Sequence, residues 1–64
     1  MEQFSVREVI EQAIQTEKLG FAFYTEVSKR FEKNGELKGL FETLALKEKK
    51  HERTFSELKE KVKD

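Results

Sequence analysis

The 64-residue chain has no cysteine, no proline and only three glycines. Without cysteine there is no disulfide framework and no thiolate metal site, which excludes zinc ribbons, rubredoxin-type centres and iron–sulfur clusters. No apolar run approaches the ~20 residues of a spanning helix. The amino-terminal stretch MEQFSVREVIEQ has no signal-peptide core. An excess of charge is also missing, because 13 Lys and Arg balance 13 Asp and Glu. Nothing therefore favours nucleic acid or an anionic membrane as a partner. The expectation is a soluble, cytoplasmic protein, and the missing cysteines agree with that.

The chain is shorter than the ~100–150 residues of a typical domain, and a unit this small seldom closes a sufficient core alone. With disulfides excluded, the remaining supports are a carboxylate or imidazole metal site, oligomerisation, or both. Charged residues make up 41% and hydrophobic ones 36%, a profile that suits long exposed helices with one apolar stripe.

Ser5-Val6-Arg7-Glu8 fits a capping box, with Ser5 as N-cap and Glu8 reaching back to it, and Phe4 and Val9 are spaced for a hydrophobic staple. No breaker follows until Asn34-Gly35; Gly20 alone weakens the helix, by ~1 kcal/mol relative to Ala. Lys29, Arg30 and Lys33 complement the carboxyl end of the helix dipole, and Asn34-Gly35 offers the left-handed conformation that commonly ends a helix. The sequence predicts one unit over 1–64, with a helix over about 6–33, a turn over about 34–36 and a second helix over about 37–62. Each helix is roughly 26–28 residues, or ~40 Å long. So short a connection folds them into an antiparallel hairpin.

Heptad spacing places Ile10, Glu17, Tyr24 and Phe31 at one inner position of the first helix and Val6, Ala13, Gly20 and Val27 at the other. In the second helix Phe41, Glu48, Phe55 and Val62 share one position, and Leu37, Leu44, His51 and Leu58 the other. Ile14, Phe21, Leu40 and Ala45 widen the stripes beyond a two-helix seam. Stripes this wide need more than one neighbour, so the expected fold is all-α, a hairpin that dimerises into a four-helix bundle. Phe21, Phe23, Phe31, Phe41 and Phe55 read as core or dimer interface, and Lys47, Lys49 and Lys50 as a solvated face.

Glu17, Tyr24, Glu48 and His51 break the apolar pattern, and they fall at similar depth when the chain folds back about Asn34-Gly35. A buried carboxylate must neutralise, pair or bind a cation, and no Lys or Arg takes an inward position. Two copies double the cluster to four Glu and two His, whose charge two divalent cations would balance; imidazole with carboxylate suits iron, manganese or zinc. The bland alternative is a bundle whose Glu17 and Glu48 are protonated or hydrogen-bonded in the core. Tyr24, two turns from Glu17, either hydrogen-bonds a ligand carboxylate or is a plain core tyrosine, with a redox role as a further option. Glu52, one turn after Glu48, is read as exposed, with an extra mobile ligand as the alternative. Gly20 faces the site and leaves room either for a ligand or for close helix approach.

Glu17 on one helix and Glu48-x-x-His51 on the next resemble the ferritin-like di-iron carboxylate pattern. The surrounding text, AIQTEKLGFAFYTEVSKR and then FETLALKEKKHERTFSELKE, resembles the rubrerythrin-like branch, and Tyr24 fits that resemblance too. A rubrerythrin bundle carries two such helix pairs in one polypeptide and this chain carries one, so it is similar to the short encapsulated-ferritin-like proteins, which dimerise. The resemblance implies two iron ions per dimer, with Glu17 as terminal and Glu48 as bridging ligand. It implies a homodimer or larger even oligomer acting as an oxidoreductase on oxygen or peroxide, or as a ferroxidase handling Fe(II). A reductase would need a separate electron donor, since no rubredoxin-type module is present. The stretch ending at Lys63-Asp64 has no extended apolar tail of the encapsulin-targeting kind, and Met1 reads as a natural start. The competing readings are a non-catalytic metal-stabilised dimer and a plain helical interaction module.

Overall fold

The computed structural model describes residues 5–62, so the Phe4 staple and Lys63 lie outside the described residues. Two helices, α1 (Val6–Arg30) and α2 (Gly35–Lys61), pack along their length as an antiparallel hairpin. The molecule measures 47 × 25 × 11 Å, which makes it one helix thick, with no second layer over either broad face. Neither helix is long and apolar enough to cross a membrane among the described residues.

Ser5 is the N-cap of α1, its hydroxyl accepting the Glu8 backbone N–H at 3.1 Å. Only this half of the capping box forms, since no bond returns from the Glu8 side chain to Ser5 among the described residues. At the far end α1 stops at Arg30, and residues 31–34 form the turn. Asn34 does not adopt the left-handed conformation that the sequence suggested: its φ is −114°, and no described residue has positive φ. It instead caps α2, its side chain accepting the Leu37 N–H at 3.2 Å, while its own N–H donates to Phe31 O at 2.9 Å. An asparagine that satisfies a donor of the next helix gains more here than one that closes the previous helix. Glu36 in the first turn of α2 adds favourable charge at the same end. Phe31 holds the turn down by stacking on Phe41, ring centroids 5.7 Å apart.

The seam is rotated relative to the heptad reading. Among the described residues Ile10, Ile14 and Ala45 are the buried hydrophobic ones and Ser28 the buried polar one, its hydroxyl donating to Thr25 O at 2.8 Å. Residues of the other inner position turn away: Val6 and Leu58, with the neighbouring Val9, Phe23 and Leu40, are 45–60% exposed. At 100° per residue these five, together with Gly20, Val27 and Leu44, share one broad side of the hairpin. That side is apolar and open. At the end remote from the turn, Arg7 donates to the carbonyls of Lys59 and Val62, and Lys59 pairs with Glu11 at 3.2 Å.

Replacing Asn34 with Ala is expected to cost about 1 kcal/mol in urea denaturation, and Asn34→Asp to retain the stability. A gain on Asn34→Gly would instead indicate a left-handed cap.

Candidate metal centre

Glu17 lies near the middle of α1, and Glu48 and His51 lie three residues apart on α2, where that spacing puts both on one face. Because the helices run antiparallel, all three reach the same level. One ligand atom from each falls within 4.8 Å of the others. His51 Nδ1 is 3.2 Å from Glu17 Oε2, and since an ionised carboxylate only accepts, the imidazole donates there. A hydrogen bond with Glu17 pushes the Glu48 carboxyl up from its ordinary value, desolvation and repulsion from Glu17 add to this, and His51 opposes it.

No lysine or arginine pairs with either carboxyl among the described residues; Lys59 goes to Glu11 and Lys49 to Glu52. Two oxygen donors and one imidazole, already converged, form a donor set that suits a divalent first-row metal. Carboxylate and neutral imidazole are the forms in which these groups bind a cation. Glu17 and Glu48 are half-buried, the Glu17 side chain 17% exposed, whereas that of His51 is 57% exposed. His51 therefore stands at the edge of the open apolar side rather than within the hairpin.

Glu52 behaves in the opposite way to the expectation of an exposed side chain. It is only 19% exposed, and its Oε1 is out of contact with solvent, lacks a hydrogen-bond partner and lies 3.8 Å from Lys49 Nζ. One residue beyond His51 is a 100° step, and that step carries Glu52 towards the seam occupied by Ala45 instead of the open side. It does not join the group of three. Lys49, exposed as expected, rests its ammonium 4.9 Å above the Phe21 ring. Tyr24 packs its ring edge-on to Phe23 at 5.3 Å and in a stack with Phe41 at 6.3 Å. Its hydroxyl makes no hydrogen bond to Glu17 or Glu48 among the described residues.

Gly20 is not simply a place of close helix approach, because the Glu48 side chain lies directly against it. The reading of the inner face also missed Ser28 as a buried polar residue. The signal was present, since Ile14, Phe21 and Ser28 recur at seven-residue spacing.

This layout, an inward Glu on one helix facing Glu-x-x-His on the next, is that of the ferritin-like helical metalloproteins. The family model described as Rubrerythrin matches residues 8–64, nearly the whole chain, and the chain belongs to the rubrerythrin family, within the ferritin-like proteins. Comparison with curated proteins and with solved structures gave no match.

The Glu48 carboxyl is expected to titrate above its ordinary value in carbon-detected NMR of the metal-free protein. Glu17→Gln should bring it back towards that value by removing the hydrogen bond with the Glu17 carboxyl and the repulsion from it; an unmoved Glu48 would show that Glu17 is not the cause.

Proposed function

We propose that two copies of this hairpin close over their open apolar sides to form a four-helix bundle, and that the paired Glu17, Glu48 and His51 hold a di-iron centre at the interface. The observation that carries this reading is the convergence of three ligand atoms within 4.8 Å, with His51 exposed at the edge of an uncovered apolar face. A hairpin one helix thick supplies three donors to a single site from one side only. A second copy related by a two-fold axis supplies the other three and covers Val6, Val9, Phe23, Leu40 and Leu58. Isologous pairing of this kind is the commonest form of self-association, and a chain without net charge does not repel its copy.

Iron held with open positions supplies electrons to oxygen or peroxide, which makes the protein an oxidoreductase of the rubrerythrin kind or a ferroxidase acting on Fe(II). The protein's own contribution is arrangement. Glu17 and Glu48 compensate the cation charge, His51 completes the donor set, and the aliphatic and aromatic residues of the two open sides exclude water from it. Reduction of peroxide calls on a separate protein as electron donor. Manganese or zinc suits the same donors. A second reading, a dimer in which metal serves stability alone, is favoured by the small core, which among the described residues comprises Ile10, Ile14 and Ala45.

Anaerobic Fe(II) titration of the metal-free protein should saturate near two irons per dimer, and exposure to air or peroxide should then oxidise the bound iron with turnover. Metal-dependent melting without turnover would favour the structural reading, and absence of binding would sink both. His51→Ala should keep the helical circular dichroism and lose most of the iron affinity; unchanged metal content in that variant would remove His51 from the site. Light scattering should give a dimer or larger even oligomer, and a fully helical monomer with metal bound would refute the shared site.

A further inference from the structure

Gly20 stands one turn after Glu17 on α1, across the seam from Glu48. A β-carbon built there would lie 2.9 Å from Glu48 Cδ, 3.0 Å from Oε2 and 3.2 Å from Cγ, whereas one at Gly35 or Gly39 would meet nothing within 4 Å. Carbon atoms in good contact sit at about 3.5–4.0 Å, so the Glu48 side chain fills space that any other residue would occupy. The three nearest atoms all belong to that one flexible side chain and none to the backbone of α2. An added methyl group therefore displaces the carboxylate and leaves the helices where they are. For the helix itself glycine is a liability, since it weakens a helix interior relative to alanine. The residue is thus unfavourable for α1, and the room it leaves is taken up by Glu48.

We infer that Gly20 is a positioning residue for Glu48: the missing β-carbon lets the Glu48 carboxylate lie against α1, within reach of Glu17 and His51. This rests on the metal-binding reading of the site. It assigns Gly20 the selection of one Glu48 rotamer and, through it, of the geometry offered to a cation. A role in helix packing predicts that alanine lowers stability and affinity together. A role in positioning predicts that they move apart.

The test uses the full chain as wild type, Gly20→Ala, Glu48→Ala and the double variant, with Co(II) as the probe. Affinity is read from its visible bands, and stability from thermal melting of the metal-free protein. Gly20→Ala should melt at the same or a higher temperature yet bind Co(II) at least about tenfold more weakly, the order of loss seen when ligand orientation is disturbed. In the Glu48→Ala background the same substitution should change the residual affinity by less than about threefold, because no atom beyond the β-carbon remains there to meet the methyl group. Unchanged affinity in Gly20→Ala, a parallel fall in melting temperature, or fully additive losses would each overturn the inference. Wild-type protein that takes up no Co(II) would sink the metal reading separately. The positioning claim is then decided in the metal-free protein by the nuclear Overhauser contact between Gly20 Hα and Glu48 Hγ, whose absence overturns it.

Discussion

Two carboxyl groups brought together at mid-hairpin set the terms for the rest of this molecule. Left ionised and adjacent, Glu17 and Glu48 repel; they can stay together only by sharing a proton, by leaning on the His51 imidazole, or by binding a cation. In the structure the His51 imidazole lies 3.2 Å from the Glu17 carboxylate, and the hydrogen bond with Glu17 pushes the Glu48 carboxyl up from its ordinary value. Each is a weaker form of what a metal ion would do, and each occupies the same atoms. Such an arrangement is costly beside a core of three buried hydrophobic residues among those described, so its presence asks for a chemical reason.

The second constraint is thickness. A slab 11 Å deep has two broad faces and cannot hide an apolar stripe on both helices at once. The hairpin closes around Ile10, Ile14, Ser28 and Ala45 and leaves the Val9, Phe23 and Leu40 side to another surface. Because His51 lies at the boundary between the closed seam and that open side, the apolar face and the donor cluster are parts of one problem. Gly20 belongs to the same economy, since its lack of a β-carbon trades local helix stability for room in which Glu48 can lie.

Much of this was legible in the residues. The two helices and the antiparallel return followed from the absence of breakers and from Asn34-Gly35. Glu17, Glu48 and His51 were legible because they interrupt an otherwise apolar period at matching depth. Other features were not. Heptad labels give positions around a helix but not which of two adjacent positions faces the partner, and a rotation of one position exchanged the fates of His51 and Glu52. Asn34 was read as ending α1 when it begins α2, because asparagine suits both roles and only backbone dihedrals distinguish them.

By itself the sequence determined the helical hairpin and brought the three candidate donors to one level, because helix periodicity and chain reversal are local properties that place i, i+3 and facing positions together. The tertiary structure decided the direction in which those donors look. It turned His51 outward and Glu52 inward, and set Glu48 against Gly20. These outcomes depend on the rotation of each helix about its own axis, which the packing of Ile14 and Ala45 in the seam fixes and no single-helix pattern contains.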